Sequence, residues 1–371
     1  MKILHIGQMI GGLDVYIRNT IMYSECVNEY IIVHGKDDNN SPVEKDGKVV
    51  KEYKTSLCRE LNIWKDAKSV IQALKIVLQE QPDLIHCHSA KGGCVGRVVG
   101  FITRVPTFYT PHAFSFLCTQ SRLKRTLYLF IERMTRLNAH LLACSESELM
   151  LGKDFVHYKD DMAHVWSNAI PDLSPNIKQE EVKQNNYFCF IGRPSYQKNP
   201  YFFVNVAKDV HERHPDISIL LLGVGYHSPD IENMKAMISK YGLDTVVKII
   251  PWLNHTEVLK YIKNTLFYLT VARYEGLPLA VLEAMSFGKC IIASDVLGNK
   301  DCVKDMYNGR LLPLEKTIFV ETICNLIENK ELMHRYGNNS RKLFEERFLI
   351  TKRIKELDVI YKSLLRITKR Y

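Results

Sequence analysis

The sequence predicts an α/β protein with two parallel sheets, and three observations carry that prediction. The chain has 371 residues, too many for one ordinary core and enough for two. Short apolar runs alternate with amphipathic segments throughout, as parallel strands alternate with crossover helices. One polar stretch, 176–186, interrupts the alternation and reads as a linker. The strand-like runs of the first half are 2–7, 30–34, 84–88, 107–110 and 141–144. Those of the second half are 188–192, 217–223, 246–251, 266–270 and 290–294. The expected organisation is a Rossmann-like domain over 1–175, a second over 187–350, and a helical tail over 351–371. Ligands of such sheets bind beyond the carboxyl ends of the strands, so the loops after those strands are where chemistry is sought.

Composition narrows the class. With 46% hydrophobic and 25% charged residues, the chain is globular. It has no run of eighteen apolar residues, so no transmembrane helix is expected. Met1-Lys2 leads straight into Ile3–Gly7, which reads as a strand rather than a signal-peptide core. The ten cysteines are scattered, with no C-x-x-C pair to suggest a zinc ribbon or a disulfide framework. Reduced thiols in a cytoplasmic protein fit that pattern. A net charge of +9 suits nucleic acid, an anionic membrane or a phosphorylated ligand, but no nucleic-acid-binding signature is present. The basic residues gather at Arg122, Lys124, Arg125, Arg133 and Arg136, interleaved with Leu123, Leu127, Tyr128, Leu129, Phe130, Ile131 and Met134. Two readings stand side by side. The segment is a helix that docks on an anionic membrane face, or it is a solvated basic face over an ordinary core stripe.

The richest stretch is Tyr274-Glu275-Gly276-Leu277-Pro278-Leu279-Ala280-Val281-Leu282-Glu283-Ala284-Met285. Pro278 suits the first turn of a helix, and Gly288 is expected to stop that helix after about three turns. Glu275 then lies in the loop entering the helix, where unpaired N–H groups and the helix dipole favour an anion. Glu283 lies inside it among apolar neighbours, which is costly unless something hydrogen-bonds the carboxylate. Two carboxylates near an anion-binding helix end suit a ligand with both hydroxyls and phosphate, such as a nucleotide sugar. Near the start of the second half, Gly192-Arg193-Pro194-Ser195-Tyr196-Gln197-Lys198 offers a rigid guanidinium fork and a movable ammonium for phosphate. No D-x-D pair marks a metal site there, so metal-independent chemistry without a cofactor is expected.

These motifs resemble those of retaining glycosyltransferases of the GT-B fold, in particular the large GT4-type family (glycosyltransferase group 1), and the resemblance covers essentially the whole chain. It implies two Rossmann-like domains facing across a cleft, with the C-terminal helix crossing back to the first. It implies that Glu275 meets donor-sugar hydroxyls, that the Gly276-Leu277-Pro278 turn brings the amides after Glu275 to the β-phosphate, and that Glu283 grips the ribose. Arg193 and Lys198 would stabilise the leaving diphosphate. Gly223 and Gly225 would shape a loop near the nucleotide, and Trp252 would flank the base, although a strand-end Trp is as readily plain core.

In the first half, Gly11 and Gly12 permit close approach to a phosphate of the donor. His86-Cys87-His88-Ser89-Ala90-Lys91 carries an H-x-H pair without further metal ligands. By resemblance His88 and Lys91 meet the acceptor; otherwise the histidines are merely hydrogen-bonded at a strand end. Thr110-Pro111-His112-Ala113-Phe114-Ser115-Phe116 resembles a segment of bacterial enzymes that extend lipid-linked sugars, with His112 positioning the donor sugar. The function so implied is transfer of a hexose from a nucleotide sugar, a UDP-sugar by family resemblance, to a lipid-linked saccharide in capsule, O-antigen or exopolysaccharide synthesis, on the inner face of the cytoplasmic membrane. The alternatives are a non-hydrolysing UDP-sugar epimerase of the same fold and a non-catalytic sugar-binding scaffold.

Overall fold

The computed structural model describes residues 1–25, 27–36, 41–58, 62–175, 186–224, 228–251 and 253–368. The chain forms two compact units, Met1–Pro171 with Ile350–Tyr371, and Asp172–Leu349. The stretch expected as a linker belongs to the second unit, and all of it but Asn186 lies outside the described residues.

The first unit runs β1 (Lys2–Ile6), α1 (Gly12–Tyr23), β2 (Glu29–Gly35), β3 (Glu44–Lys45), β4 (Lys48–Val49), β5 (Lys51–Thr55), α2 (Ile63–Glu80), β6 (Leu84–His88), α3 (Ser89–Thr103), β7 (Thr107–Thr110), α4 (Arg122–Met134), β8 (His140–Ala143), α5 (Glu146–Leu151) and β9 (Ala163–Val165). Its sheet has the order β5-β2-β1-β6-β7-β8-β9, and every pairing is parallel. The inner strands are apolar along their length because helices cover both faces. Helix α3 sits close on the sheet because its facing residues are glycines. A Cβ at Gly93 would run into the Tyr109 ring, and one at Gly96 into Cys87.

The second unit runs β10 (Tyr187–Ile191), α6 (Pro200–Arg213), β11 (Ser218–Val224), α7 (Ile231–Lys240), β12 (Val247–Pro251), α8 (His255–Asn264), β13 (Phe267–Thr270), α9 (Leu279–Ser286), β14 (Cys290–Ser294), α10 (Asn299–Cys302), β15 (Gly309–Leu312), α11 (Lys316–Glu328) and α12 (Lys330–Arg347). Its sheet, β12-β11-β10-β13-β14-β15, is also parallel. Phe188, Phe190, Phe203 and Phe267 centre its core. A final helix, α13 (Ile350–Thr368), belongs to the first unit. Ile350 N–H donates to Ile170 O at 2.9 Å, Trp166 Nε1 to Arg353 O at 3.1 Å, and Asn28 Nδ2 to Asp358 Oδ1 at 2.9 Å. Both sheets are doubly wound in the Rossmann-like manner.

All ten expected strands are present, and the three further parallel strands lie at sheet edges. Lys51–Thr55 alternates charge as an edge strand does, Ala163–Val165 has three residues, and Gly309–Leu312 opens on glycine. Helix α9 spans eight residues, Leu279–Ser286, so it is shorter than expected. Pro278 is its extended N-cap rather than its first helical residue, and Gly288 at φ +66° follows it.

Candidate active site

Strand order says where to look. In the second sheet β10 lies between β11 and β13, so the chain winds outward in both directions from β10. The loops after β10 and β13 flank that switch point, where doubly wound sheets bind ligands. Those loops hold Arg193–Lys198 and Arg273–Pro278. They are tied together by Arg273 N–H to Gln197 O at 2.8 Å and Arg273 Nη1 to Tyr196 O at 2.6 Å, with the guanidinium over the Tyr196 ring.

Glu275 is buried in this loop pair. Lys198 Nζ donates to its Oε1 at 2.6 Å and Gln197 Nε2 to its Oε2 at 3.0 Å. Its own N–H is spent on Leu297 O at 3.0 Å, so this amide is not open to an anion. Two glycines shape the space. A Cβ at Gly192 would lie 2.9 Å from Lys198 Cδ, and one at Gly298, whose φ is +83°, would lie 2.7 Å from the Glu275 backbone. Glu283 is buried on α9 and meets His255 Nε2 at 2.7 Å. That contact meets the hydrogen-bonding need raised by its apolar setting. Helices α8 and α9 bring the pair together, and His255 had no local signal beyond its place inside the Asn254–Glu257 capping box.

Arg193, Gly276, Leu277 and Pro278 lie on the same two loops. Gly223, at φ +86°, ends β11 beside Gly192. Gly225 and Trp252 lie outside the described residues.

In the first unit the switch point lies at β1, between β2 and β6. Gly11 and Gly12 stand in the loop after β1 and at the start of α1, with Gly11 at φ +61°. His88 ends β6 and is fully buried. Its Nε2 lies 2.9 Å from His5 Nδ1, and its Nδ1 lies 3.2 Å from His112 Nε2. His86 meets Tyr361 Oη at 2.7 Å and Thr110 Oγ1 at 2.8 Å. His5, His86 and His88 bring nitrogens within 4.8 Å of one another, close enough for a metal, yet these bonds already use both nitrogens of His86 and of His88. Burial holds His5 and His112 down to about 3 and pushes His86 and His88 well below their usual range, so all four are neutral at pH 7. Lys91 does not stand open: its ammonium bridges both oxygens of Asp66 on α2 at 2.5 Å. Sequence reasoning missed His5, because nothing local distinguishes one histidine in an apolar strand.

Beneath the His112 loop lies a buried ion pair. Arg97 Nη2 meets Glu132 Oε2 at 2.9 Å, and Glu132 Oε1 accepts from Tyr109 at 3.1 Å and Ser115 at 3.2 Å. These two donors bracket the turn that carries His112.

Comparison with known proteins agrees with this layout. Residues 10–174 match the family model Glycosyltransferase Family 4, and residues 174–343 match Glycosyl transferases group 1. A UDP-Gal:alpha-D-GlcNAc-diphosphoundecaprenol alpha-1,3-galactosyltransferase of Escherichia coli is 28% identical over 327 residues, covering 82% of each chain. Among solved structures, sucrose-phosphate synthase of Thermosynechococcus elongatus matches with TM-score 0.83 at 16% identity, over 99% of this chain and 100% of that one. Anabaena HepE, solved with UDP and glucose, matches with TM-score 0.78 at 17% identity, over 98% and 100%. With the two family models meeting at residue 174 and both sheets wound as the family winds them, the chain belongs to the GT4-type (group 1) glycosyltransferases of the GT-B fold.

Proposed function

We propose that this glycosyltransferase moves a hexose from a UDP-sugar to a lipid-linked saccharide with retention of configuration and without a metal. The Glu275–Lys198 pair at the second switch point carries the reading. It places a carboxylate suited to sugar hydroxyls beside a cation suited to a diphosphate. A relative that acts on a diphosphoundecaprenol-linked sugar, and another solved with UDP and glucose, support the donor and acceptor classes. Glu283, aligned by His255, takes the ribose. In the proposed step an acceptor hydroxyl attacks the anomeric carbon on the face the diphosphate leaves. The bond to the phosphate oxygen breaks, and that oxygen takes the hydroxyl proton. Arg193 and Lys198 neutralise the departing charge, a contribution of about 2.7–4 kcal/mol for one well-placed donor.

The first test is thermal stability with and without UDP. Ligand at a hundred times its dissociation constant adds about 2.7 kcal/mol, which is a shift of a few degrees. The shift should be present in wild type and absent in Glu283→Ala, and Lys198→Ala should lose about a hundredfold or more in turnover. Stabilisation by GDP or ADP instead of UDP would overturn the nucleotide. Wild-type turnover by either variant would overturn its role.

We further propose that the enzyme works on the cytoplasmic membrane face through α4. Glu132 and the neighbours Tyr128 and Leu129 turn toward the first core. Leu123, Leu127, Phe130 and Met134 are instead 82%, 50%, 57% and 61% exposed. At about 100° per residue these four fall within about 60° of one another, with Arg122 and Arg133 on one flank and Lys124 on the other. An exposed apolar stripe between basic flanks suits the interface of an anionic bilayer. Among the described residues no helix is long and apolar enough to cross a membrane. Leu127→Glu with Phe130→Glu should abolish co-sedimentation with phosphatidylglycerol vesicles while leaving UDP binding intact; unchanged sedimentation would sink the proposal.

A further inference from the structure

We propose that His5 and His88 are positioning residues for His112. The three imidazoles form a one-way chain of N–H···N bonds that holds His112 as the Nδ1–H tautomer, a donor to a sugar or phosphate oxygen of the substrate. The inference rests on the reading of His112 as a ligand-facing residue.

The geometry is that of in-plane hydrogen bonds. The His5 and His88 rings are tilted by only 7° with centroids 5.2 Å apart, and those of His88 and His112 by 29° at 5.4 Å. With nitrogens 2.9 Å and 3.2 Å apart, the rings meet edge to edge. A neutral imidazole has one N–H and one lone pair. His88 spends one nitrogen on each neighbour, so it must donate to one and accept from the other. The direction of the first bond therefore sets the second.

Two directions exist, and the buried end distinguishes them. His5 Nε2 is buried and has no partner among the described residues. If the chain donated inward, that nitrogen would carry an unpaired N–H in the core. If it donates outward, the nitrogen keeps only a bare lone pair. Buried orphan N–H groups are the rarer defect, so the network assigns the outward direction. His5 Nδ1–H donates to His88, His88 Nδ1–H donates to His112 Nε2, and His112 is left with its proton on Nδ1. A residue so fixed is a donor and cannot serve as a base through that nitrogen.

The surroundings keep this arrangement in place. His112 and Ala113 both have left-handed backbones, φ +52° and +81°, a strain that non-glycine residues hold only where neighbouring structure imposes it. Glu148 on α5 helps to impose it, accepting from Ala113 N–H at 2.7 Å and from Cys144 N–H at 2.8 Å. The charge of Glu148 is thus engaged by amides. The other ionisable rings packed on the chain are Tyr16 of α1, 4.7 Å from His112, with Tyr30 of β2 and His86 of β6 beside His5. Burial raises both tyrosines far above their usual range and lowers His86, so none supplies a charge at pH 7.

The test is the imidazole nitrogen spectrum of the uniformly ¹⁵N-labelled full chain between pH 5.5 and 8, assigned with His5→Phe, His88→Phe and His112→Gln. Wild type should show His112 protonated on Nδ1 at every pH. His88→Phe should release it to a mixture of Nδ1–H and Nε2–H tautomers. It should also lose about tenfold in kcat/KM. His88→Gln, whose amide can donate to His112 while its oxygen accepts from His5, should restore both. An Nε2–H tautomer on His112, titration in wild type, or a tautomer indifferent to His88→Phe in a folded variant would overturn the proposal. The spectrum needs no substrate, so failure of the glycosyltransferase reading would appear separately, as absent turnover with the tautomer intact.

Discussion

In the second unit a loop at the sheet's switch point and the helix after it carry two carboxylates, Glu275 and Glu283, held by Lys198 and His255. In the first unit the corresponding loops and strand ends carry imidazoles that burial keeps neutral. The second unit carries carboxylates, and the first carries neutral rings with its charged groups set behind them. A buried charge must be paired or hydrogen-bonded, or its desolvation goes unrecovered, and in the second unit Glu275 is held by an ion pair with Lys198 and Glu283 by the contact with His255. A neutral imidazole chain offers direction without charge, which suits hydroxyl groups. The contrast teaches that one winding pattern can carry two chemically different sets of side chains, differing in what the loops and strand ends supply.

The largest expected effect lies beneath the neutral side. Glu132→Ala leaves the Arg97 guanidinium uncompensated in the core and removes the acceptor of Tyr109 and Ser115. It should cost the first unit about 3–5 kcal/mol, read by urea denaturation. Replacing both partners, Arg97→Met with Glu132→Leu, should recover much of that loss. A single variant as stable as wild type would mean the pair does not support the His112 turn.

Next comes the charged side. Gly298→Ala puts a methyl against the Glu275 backbone at a left-handed position. It should destabilise the second unit by about 1–3 kcal/mol and weaken UDP binding, read by calorimetry. Undiminished UDP affinity would show that Glu275 needs no such tight placement.

The smallest effect is a control outside both sites. Arg341 donates to both oxygens of Asp172, at 2.7 and 2.6 Å, where the chain enters the second unit. The hydrogen bonds from Arg341 hold the Asp172 carboxyl well below its usual range. A depressed folded value means that the stabilisation is complete above the unfolded value of about 4 and is lost as pH falls below it. Asp172→Asn should therefore lower stability by about 1 kcal/mol at pH 7, discounted for partial exposure. The gap to wild type should close progressively below pH 4, and UDP affinity should not change. A gap that remains undiminished as pH falls from 4 to 2 would assign the effect to packing rather than charge.

By itself the sequence determined the fold class, ten strand runs of which only β12 lies at a sheet edge, and the Glu275–Glu283 and Arg193–Lys198 motifs. These are short-range patterns, set by apolar alternation, turn residues and helical spacing within a dozen positions. The edge strands Lys51–Thr55, Ala163–Val165 and Gly309–Leu312 escaped because an edge needs neither length nor a continuous apolar run. Only the tertiary structure decided the partners. Lys198 reaches Glu275 across 77 positions, and His5 reaches His88 across 83. Tertiary structure also decided which side chains of α4 are covered by protein. Periodicity shows that a helix has an apolar face, but whether protein or solvent covers that face depends on elements distant in the chain. Here Tyr128, Leu129 and Glu132 turn inward and Leu123, Leu127, Phe130 and Met134 face out.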